Sequence, residues 1–532
     1  MAANAFHRFV VPTHSHLFQQ QQQQHEGPLL RVLHRRKPLR TFVAARKDIA
    51  STTSSSTHLE KTAEVVAVDE LKKDLDGLRE KLANLIEQGE EEYAEALLDA
   101  NYKVLKRQLD GGEQGIEQAA LLDVLAQGHL DMGDVEGAAP LLTQLTQLME
   151  KHHFDSAKPE PLVDKVVEHM AAMYATLDQP DRAIELYERC LRMQEDLYGG
   201  KRNDSPLLVN ALFGYAAACK DAGHLDKSTE QYIRAIAILE KANGPDSQIL
   251  VLPLQHLGLA LLERGNHVEA EQTLSRALKL AKEKPNDGRV GVVMSSLAQA
   301  KYMTGDNEAS ADLFREALRV MERSTTPDPL LIESMRTDFS MVLTVLERHK
   351  EAQEVLEDNV HAVQNRLGSS DIGLFVHMKN LAVSHANCGN LVKCESLMRR
   401  CLQLATAHYG PNAPELSGAL EMLATLLHHM ERHTEAEPLA RQSLLLCEAR
   451  YGREHPFSGD ACNTLAAILF ALERFPEAHV LMSRVLDIQT RELGPYDPLV
   501  GKTLEYLVMI NSKLGRDSTQ LLKKLKDIQG DK

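Results

Sequence analysis

The 532-residue chain is 43% hydrophobic and only 5% aromatic, holds no tryptophan, and has no apolar run approaching the length of a membrane-crossing helix. Its formal charge of −16 is uneven: residues 1–58 set eight Lys/Arg against Glu26 and Asp48, a balance of +6 that leaves −22 on residues 59–532. So acidic a body is unsuited to sequence-independent nucleic-acid binding, which needs phosphates neutralised by Lys and Arg.

Residues 1–58 differ from all that follows. They are arginine-rich and acid-poor, carry glutamines from Gln19 to Gln24, and run into a hydroxyl-rich stretch from Ser51 to Thr57. This is the composition of an organelle transit peptide. The Met-Ala-Ala start and the Val43-Ala44-Ala45 segment predict a chloroplast leader and a stromal protein, while the Arg35-Arg36 segment keeps the mitochondrial matrix as an alternative. A retained tail on a cytoplasmic protein is the remaining reading. Seven cysteines without a Cys-x-x-Cys pair suggest neither a zinc site nor a disulfide framework, and fit a reducing compartment.

Over residues 59–114 the pattern becomes helical. Leu71, Leu75, Leu78, Leu82 and Leu85 alternate steps of four and three, which places them on one helix face. Gly89 interrupts the helix, and Ala94 and Leu98 follow, so this region predicts a helical pair that caps the units after it.

Residues 115–501 repeat. Ser310, Ala352, Cys394, Ala436 and Ala478 stand 42 apart, Gln520 beyond the array takes the next step, and Ala138, Ala183, Ser228 and Ala270 continue the register less regularly upstream. Each unit reads helix, tight turn, helix, linker; in residues 257–265 the helical spacing stops at Gly265, and Ala270, Leu274 and Ala277 begin a second helix. Two closely crossing helices need a small residue at their contact. Ala171, Ala216, Gly258, Ala298, Ala382, Ala424 and Ala466 fill that position in first helices, while Tyr187, Tyr232, Leu274, Phe314, Leu356 and Met398 plug the space from second helices. Residues 502–532 predict capping helices over 502–514 and 518–528, the last one charged through Lys523, Lys524, Lys526 and Asp527.

These offsets resemble tetratricopeptide (TPR) repeats, with 42 residues in place of the usual 34 or so. The linkers with Tyr409, Gly410, Pro411 and Pro414, with Tyr451, Gly452, His455 and Pro456, and with Leu493, Gly494, Pro495 and Pro498 resemble the Gly-x-x-His-Pro linker of kinesin-light-chain repeats. Glu435-Ala436-Glu437-Pro438-Leu439 resembles the second helix of that family. The resemblance implies an all-α, right-handed solenoid of about ten helix pairs whose inner surface is lined by first helices. It further implies that Asn380 and Asn463 occupy positions where paired asparagines hold the backbone of an extended cargo peptide. The chain departs from that pattern at Glu168-His169, Gln255-His256 and Ser295-Ser296.

Chemical motifs are sparse. No nucleophile elbow, phosphate-binding loop, His-Glu-x-x-His or dinucleotide fingerprint occurs, so no catalytic residue and no cofactor is expected. Cys190, Cys394 and Cys401 fall on packing positions and read as small hydrophobes. His428, His429 and His433 form the densest histidine cluster, but adjacent His428 and His429 point to different sides of a helix, which favours a groove contact over a metal. The predicted partner-binding groove comprises Gln255, Ser295, Gln299, Tyr302, Lys379, Asn380, Asn387, His428, Asn463 and Thr464, a mixture suited to a protein or peptide partner. The expected function is a non-catalytic scaffold for organelle biogenesis, gene expression or complex assembly. The alternatives are a cytosolic kinesin-light-chain-like cargo or cytoskeletal adaptor and, disfavoured by charge, an RNA-binding helical-repeat protein.

Overall fold

The computed structural model describes residues 63–151, 162–197, 205–282, 288–324 and 327–530. The leader expected at residues 1–58 lies outside them. The described residues form 22 α-helices in eleven consecutive pairs, and no strand. They divide at residue 325 into two compact units, a boundary without a signature in the repeat pattern.

The first unit holds α1 (Ala63–Glu87) with α2 (Glu91–Asp110), α3 (Ile116–Asp131) with α4 (Val135–Lys151), α5 (Val163–Thr176) with α6 (Pro180–Leu197), α7 (Val209–Asp221) with α8 (Leu225–Asn243), α9 (Val251–Arg264) with α10 (His267–Ala281) and α11 (Gly288–Met303) with α12 (Asn307–Glu322). The second holds α13 (Pro329–Val345) with α14 (His349–Leu367), α15 (Leu374–Asn387) with α16 (Leu391–Tyr409), α17 (Ser417–His429) with α18 (His433–Tyr451), α19 (Pro456–Ala471) with α20 (Phe475–Leu493) and α21 (Pro498–Leu514) with α22 (Thr519–Gly530). Within each unit, every second helix packs on its own first helix and on the first helix of the next pair. The core is therefore a chain of local interfaces.

The small positions are where the helices touch. Ala171, Ala183, Ala216, Ala270 and Ala298 in the first unit, and Ala352, Ala382, Ala424, Ala436, Ala466 and Ala478 in the second, are all at 0% exposure. Gly258 shows why size matters there: a Cβ at that position would lie 2.5 Å from Cγ of the fully buried Leu274. Each such buried plug contributes about 1.5–3 kcal/mol through the apolar surface it removes from water. Leu75 and Leu82 of the predicted leucine seam are buried as α1 packs on α2 and α3.

Two turn types shape each repeat. Inside a pair, one left-handed residue reverses the chain, and the same bonds form whether it is glycine or not: Gly265 N donates to Leu262 O at 3.0 Å and Asn266 N to Leu261 O at 2.9 Å, while Glu473 N donates to Phe470 O at 3.0 Å and Arg474 N to Leu469 O at 2.9 Å. Between pairs, Gly244, Gly368, Gly410, Gly452 and Gly494 cap the second helix with φ of 86–91° and ψ of 157–164°, a region essentially confined to glycine.

Two further bonds recur in register. Cys190 Sγ donates to Asp164 O, Asn359 Nδ2 to Glu333 O, Cys401 Sγ to Phe375 O and Ser443 Oγ to Ser417 O, each across 26 residues and each joining the two helices of one pair. In two of these second helices the residue just before the donor reaches the preceding linker: Arg400, before Cys401, donates through Nη2 to Ser369 O at 3.3 Å, and Gln442, before Ser443, donates through Nε2 to Pro411 O at 3.2 Å. The cysteines thus pack as expected and also serve as donors.

At the C-terminal end, α21 begins at Pro498, four residues before the predicted 502. Proline suits the first helical position, and Asp497 Oδ1 accepts from Leu499 N at 2.7 Å. Leu525 and Ile528 of α22 pack beside Gly501 of α21.

Candidate partner-binding face

All ten predicted groove residues lie on first helices. Gln255 is on α9 and Ser295, Gln299 and Tyr302 are on α11 of the first unit; Lys379, Asn380 and Asn387 on α15, His428 on α17, and Asn463 and Thr464 on α19 belong to the second. Their accessibility differs. Gln255 and Ser295 are buried at 9% and 7% exposure, and Gln255 Nε2 donates to Ser296 Oγ at 3.3 Å. These two stand in the packed layer, less open than their register implies, because the next first helix approaches closely. Gln299, Tyr302 and all six residues of the second unit are partly exposed.

The second unit presents the more open polar surface. Asn380, Asn387 and Asn463 are partly exposed, and no hydrogen bond within the described residues occupies their side-chain amides. Each therefore offers two donors and an acceptor to a partner. Thr464 Oγ1 donates to Glu421 Oε1 at 3.2 Å. Glu421 was not among the predicted residues, although it stands 42 residues from both Lys379 and Asn463. Burial, with Asp460 nearby, pushes its carboxyl up to about 7, and the Thr464 bond pulls the other way.

Histidines in the same unit turn inward on one another. His428 Nδ1 lies 3.1 Å from His433 Nδ1, and the ring of His429 stands 5.8 Å from that of His428. Burial first, then His433 and His429, pushes His428 down to about 4, so its imidazole is neutral near pH 7.

In the first unit the polar chemistry is spent internally. Fully buried Asp123 on α3 accepts from Arg79 Nη2 of α1 at 2.8 Å and pairs with His169 Nδ1 of α5 at 2.7 Å, which ties three first helices together. A cavity of about 380 Å³ opens among α8, α9 and α10, lined by Ile233, Ile236, Leu254 and Leu257. Its rim charges Glu240 and Arg276 pair with each other at 2.6 Å. Six of the seven cysteines are buried, and all seven are free. No helix of the described residues is long and apolar enough to cross a membrane.

Comparison with known proteins adds a family to this geometry. A family model described as tetratricopeptide repeat matches residues 166–241, 248–323, 373–449 and 415–482. Human tetratricopeptide repeat protein 19, mitochondrial, is 26% identical over 121 residues, which are 23% of this chain and 30% of that protein. Among solved structures, BtubC (BKLC) from P. vanneervenii is 19% identical, covering 43% of this chain and 91% of that one with a TM-score of 0.38. A putative kinesin light chain from Podosopora anserina with nearly identical TPR-like repeats is also 19% identical, over 37% of this chain and 92% of that one, with a TM-score of 0.33.

Proposed function

Because this chain is built of tetratricopeptide repeats, we propose that it is a non-catalytic scaffold that holds protein or peptide partners against the first-helix face of its second unit. The observation that carries this reading is the set of unoccupied amides of Asn380, Asn387 and Asn463 on α15 and α19. An amide that both donates and accepts can pair with the backbone of an extended segment, while partly exposed Lys379 and Thr464 supply side-chain selectivity.

The working compartment we propose is the chloroplast stroma, with a role in organelle biogenesis, gene expression or complex assembly. The basic, acid-poor composition of residues 1–58 supports a targeting leader. The partial likeness to a mitochondrial protein favours the mitochondrial matrix as the second reading.

One experiment tests both parts. The tagged full-length protein is purified from its own cells, and its N-terminus and co-purifying proteins are identified by mass spectrometry, beside an Asn380→Ala/Asn387→Ala/Asn463→Ala variant. An N-terminus near residues 45–60, stromal partners, and loss of those partners in the variant at unchanged helicity are expected. A retained leader with cytoskeletal partners would overturn the compartment, and undiminished partners in the variant would overturn the face. A purified chain that bound no protein and turned over a small molecule would overturn the scaffold.

A further inference from the structure

We propose that His428 and His433 form a two-histidine site for a d-block dication of the zinc class, between the end of α17 and the start of α18. The turn between them puts Glu431 at a φ of 61°, with Glu431 N donating to His428 O at 3.0 Å and Arg432 N to Leu427 O at 2.9 Å. That reversal brings residues five apart into contact: their Nδ1 atoms are 3.1 Å apart and their ring centroids 4.8 Å. Two metal–nitrogen bonds of about 2.0–2.1 Å, meeting between a right angle and the tetrahedral angle, hold their nitrogens about 2.8–3.4 Å apart. The pair already has the bite of a chelate.

The chemistry of the two atoms agrees. Without metal, one Nδ1 must carry a proton and donate it to the other. A dication takes the place of that proton and accepts both lone pairs. Imidazole nitrogen is a common ligand for zinc, copper and nickel, and it binds in its neutral form. Among the described residues, no group of three or more His, Cys, Asp and Glu is placed to hold a metal, so water or a partner's donor completes the coordination.

Zn²⁺ is titrated calorimetrically into the full chain, prepared without a histidine tag, beside His428→Asn, His433→Asn and His429→Asn. One site per chain, at least tenfold weaker in the first two variants and unchanged in the third, is expected. Identical isotherms for the natural chain and a His428→Asn/His433→Asn double variant would overturn the proposal. Should a variant lose its helical circular dichroism, the natural chain decides alone. Zn²⁺ must then slow diethyl pyrocarbonate modification of His428 and His433 together, and an unchanged rate at either one overturns the site equally.

Discussion

Arg484 Nε donates to the carbonyl of Arg453 at 3.0 Å, and Arg276 Nη2 donates to the carbonyl of Pro245 at 2.7 Å, each across 31 residues. In both cases the accepting residue directly follows a linker glycine, Gly452 or Gly244, whose conformation turns that carbonyl toward the next second helix. The glycine and the long polar side chain are two halves of one fastening between adjacent pairs. Arg484, whose side chain is 18% exposed, also meets Glu448 Oε1 at 2.5 Å. We expect Arg484→Ala to lower stability by about 1–2 kcal/mol, in the range for hydrogen bonds to charged groups. Gly452→Ala should lower it by about 1–3 kcal/mol through backbone strain. Urea denaturation measures both, and a midpoint unmoved by either substitution would refute the fastening.

The thiols make a sharper case. Burial pushes Cys394 and Cys401 up to about 12, and it raises Cys190 as well. The thiolate is the reactive form. In the native protein at pH 8 a thiol-disulfide reagent should therefore modify partly exposed Cys388 first, with the six buried cysteines reacting only after denaturant is added. Fast reaction at Cys401 in the folded chain would show that its bond to Phe375 O is not formed.

Gly258→Ala tests the packing of the first unit. Alanine gains about 1 kcal/mol of helix propensity over glycine. Yet its Cβ would sit 2.5 Å from Leu274 Cγ, an atom near the root of a fully buried side chain that cannot swing away cheaply. Overpacking of this kind costs about 1–3 kcal/mol, so the net change expected is destabilising. Adding Leu274→Ala should remove the clash, giving a coupling between the two substitutions in a double-mutant cycle.

Acid affects the second unit in two opposing ways. His428, pushed down to about 4 from 6.5, binds its proton more readily in the unfolded chain, so its contribution to stability is full above pH 6.5 and falls as pH drops toward 4. Glu421, pushed up to about 7 from 4.5, is protonated first in the folded chain, so its contribution rises as pH drops from 7 to 4.5. Glu421→Gln keeps an acceptor for Thr464 and removes the charge. The variant should exceed the natural chain by roughly 1–3 kcal/mol at pH 8, with the advantage shrinking by up to about 1.4 kcal/mol per pH unit and vanishing near pH 4.5. An advantage that stayed constant from pH 8 to pH 5 would exclude a raised Glu421.

Sequence register predicts contacts that repeat and overlooks those that do not. The 42-residue spacing identifies Ala436 and Ala478 as contact points, and both are fully buried. The same spacing would have found Glu421 between Lys379 and Asn463 had it been applied to charge as well as to amides. The Asp497-Pro498 start of α21 was legible too, as a cap followed by proline. Arg79, Asp123 and His169 were beyond reach: they lie 44 and 46 residues apart and belong to no shared chemical motif. Burial of Gln255 and Ser295 was equally hidden, because helical phase gives a direction and not the distance to the next helix.

The fastenings in the second unit reach only from one helix pair to its neighbour. A segment of 42 residues cut from one linker to the corresponding place in the next would leave ends that meet in the same geometry, with the same donor facing the same carbonyl. Copy number is thus a free variable of this architecture: a gene could lengthen or shorten its product by one pair in a single recombination event. Such a change would add or delete one rung of partner-facing residues and leave every remaining interface as it was.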